Sequence, residues 1–270
     1  MTLLGQGLRL VSRIAPARGG KIAWTLFCTP YPLAQATSEQ QRVLDQARRH
    51  QLAFGERLLD VYRWPNQGPR VLLMHGWGGK ACSFARMAEV LHGAGLEVIA
   101  FDGPGHQKPF SRTNLLECSS ALRKLARELG PIHTLVGHSF GALTSAHAAG
   151  CLDELQGLVM IGGPQRLDWV LGDAQAKLDA PQPSMDFIYR RIEKLSGRPV
   201  VEHTTADYLQ AARVRTLIVH DTQDKEVPFA PAEQQAQALG ADFLATSGWG
   251  HRRILNAPEV AHRIATFVRA

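Results

Sequence analysis

The chain has 270 residues, is 45% hydrophobic and 20% charged, and sets 30 basic side chains against 24 acidic ones for a formal charge of +6. That length carries one full core, and α/β units of this size form single domains. The basic residues are scattered and never interleave with aromatics in a strip, so the excess reads as surface character with weak attraction to anions and argues against a nucleic-acid site.

Residues 1–38 hold Arg9, Arg13, Arg18 and Lys21 and no acidic side chain. Leu3, Leu4, Leu8, Val11 and Ile14 fall roughly on one helical face. Leu8-Arg9-Leu10-Val11 is too short an apolar run for a secretory signal. The preferred reading is a helix packed on the flank of the domain; a basic amphipathic helix at a membrane surface is the alternative. Lys21 to Cys28 and Arg57 to Trp64 read as strands, with a helix from about Glu39 to Phe54 between them. Strands then follow at 71–74, 97–101, 132–136, 157–161, 214–220 and 241–246. Helices fall near 81–93, 114–129, 140–150 and 231–239, with a last one near 257–269. Buried apolar strands alternating with helices predict a mostly parallel twisted sheet covered on both faces. Between Pro164 and about Arg213 the strand pattern lapses into helical pieces divided by Pro181, Pro183 and Pro199. Cys28, Cys82, Cys118 and Cys151 stand far apart, without metal-ligand spacing, as reduced thiols of a cytoplasmic protein would.

Three stretches carry chemistry. Gly137-His138-Ser139-Phe140-Gly141 lies between the apolar run 132–136 and an Ala-rich helix, so it is Gly-x-Ser-x-Gly at a sharp strand-to-helix turn. Such a turn strains the serine backbone and lifts its hydroxyl above the sheet, and the flanking glycines avoid collisions. Upstream, the run Arg70 to Met74 ends in His75-Gly76-Trp77-Gly78-Gly79, a loop whose free N–H groups can meet a developing alkoxide. Downstream, Val214 to His220 leads into Asp221-Thr222-Gln223-Asp224, and the run Ala241 to Thr246 leads into Gly250-His251.

The order Ser139, Asp224, His251 is the order of the α/β-hydrolase triad. His75-Gly76, Asp102-x-Pro104-Gly105-His106, the elbow, Asp224-x-x-Val227-Pro228 and Gly250-His251 follow in family sequence from about Val71 onward. The chain thus resembles a serine hydrolase of the α/β-hydrolase superfamily, of the small cofactor-free esterase and lipase-like type. The resemblance implies that fold, with a core of 1–163 and 213–270 and a small helical cap at about 164–212. It implies Ser139 as nucleophile, His251 as base and Asp224 as the acid that fixes the imidazole. The N–H groups of Trp77 and Phe140 would form the oxyanion hole, where one donor is typically worth about 2.7–4 kcal/mol. Trp77, Trp169 and Phe187 would contact substrate. No cofactor or metal is implied.

Asp221 competes with Asp224 as the acid, but the Val227-Pro228 pair fits the family loop only behind Asp224; Asp221 then reads as a turn cap. His138 and His75 read as packing and loop residues, and His220 stands where the family usually has glycine. One loop departs from the pattern: Gly105-His106-Gln107 lacks the family's next glycine, which predicts a different path. The expected function is hydrolysis of a small-molecule carboxylic ester through an acyl-serine. The alternatives are acyl transfer or carbon–carbon hydrolysis by the same triad, or a non-catalytic ligand-binding module on the fold.

Overall fold

Alternation along the strands organises the molecule. In the computed structural model, which describes residues 3–270 and their side chains from Gly5 onward, Leu72 and Met74 face one core while Val71 and Leu73 face another. The expected apolar side chains Leu3 and Leu4 lie outside the described ones. The same split runs through Leu135 against Val136, and Leu158 and Met160 against Val159 and Ile161. Because both faces are buried, the central residues of these strands are apolar on both sides.

The described residues form an eight-stranded sheet in the order β1-β2-β4-β3-β5-β6-β7-β8, from β1 (Arg48–Phe54), β2 (Arg57–Trp64), β3 (Arg70–Met74), β4 (Glu97–Phe101), β5 (Thr134–His138), β6 (Gly157–Ile161), β7 (Arg215–Asp221) and β8 (Asp242–Thr246). The β1–β2 and β2–β4 pairs are antiparallel and all later ones parallel. β3 pairs with β4 on one side and β5 on the other. The chain thus reverses its direction of growth at β3, and the crevice above the carboxyl ends of β3 and β5 is where such sheets bind ligands.

The helices in chain order are α1 (Leu3–Ile14), α2 (Pro16–Phe27), α3 (Ser38–Asp45), α4 (Ala85–Gly93), α5 (Leu115–Leu129), α6 (Phe140–Ala149), α7 (Leu167–Leu178), α8 (Gln182–Ser196), α9 (Thr205–Ala212), α10 (Phe229–Leu239), α11 (Gly250–Arg253) and α12 (Pro258–Arg269). α3, α4 and α12 bury apolar residues against one face of the sheet, α5, α6 and α10 against the other. α6 is buried on all sides, as a helix without a polar face must be. None of the helices is long and apolar enough to cross a membrane. All four thiols are free; burial pushes those of Cys28 and Cys118 up to about 12, which makes them unreactive.

Two expectations fail near the start of the chain. Lys21 to Cys28 is not a strand: all but Cys28 belong to α2. Its aromatic and β-branched residues favour extended structure locally. Tertiary packing overrides them: Gly19 is closed against Ser12 of α1, and α8 lies so close to the bare surface at Gly20 that a Cβ there would sit 2.4 Å from Phe187 Cγ. The helix expected from Glu39 to Phe54 stops at Asp45, and Arg48–Phe54 becomes edge strand β1. A two-residue loop begun by Gly55 at φ 59° folds β1 back on β2, and a solvated edge strand needs only Leu52 buried, which leaves little pattern to read. The remaining elements fall within a few residues of expectation, with β5 running on through Gly137 and His138.

Candidate active site

Ser139 directly follows β5 and caps α6, with φ 54° and ψ −125°. Its N–H bonds to Ile161 O of β6 at 2.8 Å, which holds the turn against the sheet. Both flanking glycines are sterically required. A Cβ on Gly137 would lie 2.4 Å from Gly141 O, and one on Gly141 would lie 2.3 Å from Met74 O and 2.5 Å from His75 O. Those obstacles are backbone atoms and cannot swing aside. Gly141→Ala should therefore lower stability by about 1–3 kcal/mol and depress activity by moving the serine; an unchanged denaturation midpoint would refute this steric account.

The structure brings Ser139, His251 and Asp224 together. His251 Nδ1–H donates to Asp224 Oδ2 at 2.7 Å, and its Nε2 lies 2.9 Å from Ser139 Oγ, ready to accept the hydroxyl proton. The other carboxylate oxygen, Asp224 Oδ1, accepts from the N–H groups of Glu226 and Val227 at 2.8 and 2.9 Å. Burial works against the charge on Asp224, but bonds from His220, His251 and Val227 N–H outweigh it and hold the carboxyl well below the usual range. Asp221, the rival acid, is fully buried yet does not reach the imidazole. It accepts from Gln223 N–H, Thr246 Oγ1–H and Trp249 N–H, and so ties the end of β7 to the loop after β8.

Two histidines support this array in ways the sequence did not suggest. His220 Nε2 lies 3.0 Å from Val227 O and 3.4 Å from Asp224 Oδ2. Both neighbours are acceptors, so this nitrogen carries the proton and shares it between them. His138 Nε2–H donates to His251 O at 2.8 Å, which ties the Ser139 turn to the backbone of His251. Burial pushes His138 down to about 3, so it stays neutral. The one available signal was that His220 replaces the glycine usual before the acid loop; nothing marked His138.

The glycine-rich loop after β3 is also held by neutral histidines. Gly103 N–H donates to His75 Nε2, and Gly78 N–H donates to His106 Nε2 at 3.2 Å. Burial lowers both, His106 to about 4. In the loop that lacks the family's next glycine, Gln107 Nε2–H donates to Asp102 O and Gly103 O and braces the backbone. Asp102 accepts from Ala81 N–H and anchors the same turn. Trp77 and Phe140 meet edge to face at 5.0 Å beside the serine, and no described residue accepts a hydrogen bond from the N–H of either. The two N–H groups expected as oxyanion donors are thus unspent within the described residues.

Above Ser139 opens a cavity of about 1060 Å³. Its walls are largely apolar: Trp24 and Phe27 from α2, Leu167, Trp169, Val170 and Leu178 from α7, and Ile192 and Leu195 from α8. Trp77 and Trp169, two of the residues expected to contact substrate, line it. Phe187 does not, because it packs into the bare face of α2 at Gly20. Its place as a wall is taken by α2, whose own reading as a strand hid that role.

A sequence profile described as the alpha/beta hydrolase family matches residues 71–263. Mouse protein phosphatase methylesterase 1 is 29% identical over 139 residues, which is 47% of this chain and 34% of that protein. Pimeloyl-(acyl-carrier protein) methyl ester esterase of Xylella fastidiosa is 31% identical over 106 residues, 38% of this chain and 41% of that protein. The chain therefore spans well under half the length of these curated relatives. The crystal structure of a membrane phospholipase A, a bacterial virulence factor, aligns over 98% of both chains with a TM-score of 0.65 and 19% identity, a likeness of fold.

Proposed function

The chain belongs to the alpha/beta hydrolase family, and from that premise we propose that it hydrolyses carboxylic esters of apolar acyl groups through an acyl-serine intermediate. The observation that carries the reading is the Ser139–His251–Asp224 relay opening into a largely apolar cavity. Ser139 Oγ attacks the ester carbonyl carbon while His251 Nε2 takes its proton. The oxyanion forms beside the N–H groups of Trp77 and Phe140. Collapse of the tetrahedral species expels the alcohol, which leaves with the proton from His251. Water then attacks the acyl-serine with the same base, and the acid is released. Residues of about 164–212 act as the cap, and they share that work with α2. Ester cleavage also agrees with the names of the two partial relatives.

A cavity of about 1060 Å³ exceeds what an acetyl group fills and sits at the top of the roughly 300–1,000 Å³ common for small-molecule sites. Each buried methylene adds about 0.8 kcal/mol. Across p-nitrophenyl esters, kcat/KM should rise from acetate toward octanoate by up to about tenfold per two carbons. Val170→Trp, which adds bulk to the wall, should flatten that rise and spare acetate. A fluorophosphonate should label one serine. No labelling and no hydrolysis would favour a ligand-binding module instead, and labelling without net hydrolysis would favour acyl transfer.

A further inference from the structure

Part of the surface next to the cavity is left uncovered by the described residues. Among the described residues nine large apolar side chains are exposed, and five of them cluster on α1, α2 and the two adjoining loops: Leu10, Ile14, Ile22, Tyr31 and Phe110. Ile14 and Phe110 are each 77% exposed. Tyr31 and Phe110 stack at 5.9 Å, and both line the cavity that holds Ser139. Phe110 is held at φ 60°, a conformation a bulky side chain rarely adopts. On α2 the exposed positions Arg18, Lys21, Ile22 and Thr25 recur at helical spacing, and Thr25 itself belongs to the cavity wall. The strip therefore runs from the α1–α2 hairpin to the cavity rim.

The other side of the hairpin is occupied. Gly5 lies against Asp179, Ser12 Oγ bonds to Ser184 Oγ at 2.9 Å, and Gly20 receives Phe187. Flank packing and surface contact are thus not alternatives, because each uses a different face. The exposed face is also cationic: Arg13, Arg18 and Lys21 make no ion pair with any described residue, whereas Arg9 is held by Asp179. No carboxylate occurs in residues 1–38 to offset them. Exposed aliphatic and aromatic side chains interspersed with unpaired cations suit a helix lying in a headgroup layer, with its apolar groups at the acyl boundary. A nucleic acid would use the cations but not Leu10, Ile14 or Phe110.

We propose that the α1–α2 hairpin, with Tyr31 and Phe110, docks on an anionic lipid bilayer and turns the cavity mouth toward the lipid. The docking stands by itself; only its use, delivery of lipid esters to Ser139, rests on the proposed hydrolysis. The full chain is sedimented with vesicles of phosphatidylcholine alone and of phosphatidylcholine with phosphatidylglycerol, at low and high salt. It should bind the phosphatidylglycerol vesicles and release them as salt rises. Binding should fall at least about tenfold in Leu10→Asp/Ile14→Asp and in Arg13→Glu/Lys21→Glu. Both double variants should hydrolyse a water-soluble short ester as the parent does, which also reports that they fold. Ser139→Ala should bind vesicles fully, so a failure of docking and a failure of the hydrolase reading are told apart. Absence of vesicle binding by the parent, or binding that either double variant retains, overturns the proposal and leaves the strip to a protein partner.

Discussion

Ser139→Ala should fold, lose all labelling by a fluorophosphonate, and lose ester turnover by several orders of magnitude. The alanine keeps the turn but has no oxygen to attack the carbonyl, and His251 then has no proton to take. Triad members act as a unit, so adding His251→Ala should cost little beyond the first substitution. The same position separates strain from chemistry. Ser139 sits at φ 54° and ψ −125°, where a side chain costs on the order of 1–3 kcal/mol. Ser139→Gly should therefore be more stable than Ser139→Ala, although glycine in place of alanine ordinarily destabilises by enlarging the unfolded ensemble. Both should be equally inactive. Serine labelling that persists in Ser139→Ala would remove this residue from the nucleophile role, and a less stable glycine variant would show that the turn is unstrained.

How far the sequence discloses this molecule follows from where the determining contacts lie. Strands β3 to β7 are buried on both faces, so their composition alone announces them. The site is legible for a related reason: Ser139, Asp224 and His251, the proposed nucleophile, acid and base, each follow within a few residues of the end of a strand, in connections whose residue types serve local geometry. The hairpin α1–α2 is different. It folds on Asp179, Ser184 and Phe187, more than 160 residues away, and Gly20 looks like a helix breaker until Phe187 of α8 is laid against it. Reading Lys21 to Cys28 as a strand hid one wall of the cavity and left Phe187 as the apparent substitute. His138 escaped for the same reason, because its partner, His251 O, lies 113 residues further along the chain. His220 meets Asp224 only four residues on, through a loop conformation that residue types do not announce.

Asp224→Asn should reduce kcat by about 10⁴ while leaving the fold nearly intact, and Asp221→Asn should do the opposite. The two carboxylates differ in what each oxygen accepts from. Asp224 Oδ1 is held by two backbone N–H groups, of Glu226 and Val227, so in the amide the carbonyl oxygen must stay there. The NH₂ group then takes the place of Oδ2 and points its hydrogens at His251 Nδ1. Nδ1 becomes an acceptor, the ring proton moves to Nε2, and Nε2 can no longer accept from Ser139. The same NH₂ also faces the N–H of His220, donor against donor; turning the amide over would relieve both conflicts only by setting the NH₂ against the backbone N–H groups of Glu226 and Val227. Asp221 has no contact with the imidazole. Its oxygens accept from Gln223 N–H, Thr246 Oγ1–H and Trp249 N–H at 2.9–3.1 Å in a fully buried position. An amide there loses acceptors and leaves a buried donor unpaired, which costs about 1–3 kcal/mol, with turnover changed little. Steady-state kinetics and denaturant melts of the two variants decide the assignment. A variant of Asp221 that is folded but inactive, beside an active variant of Asp224, would exchange their roles.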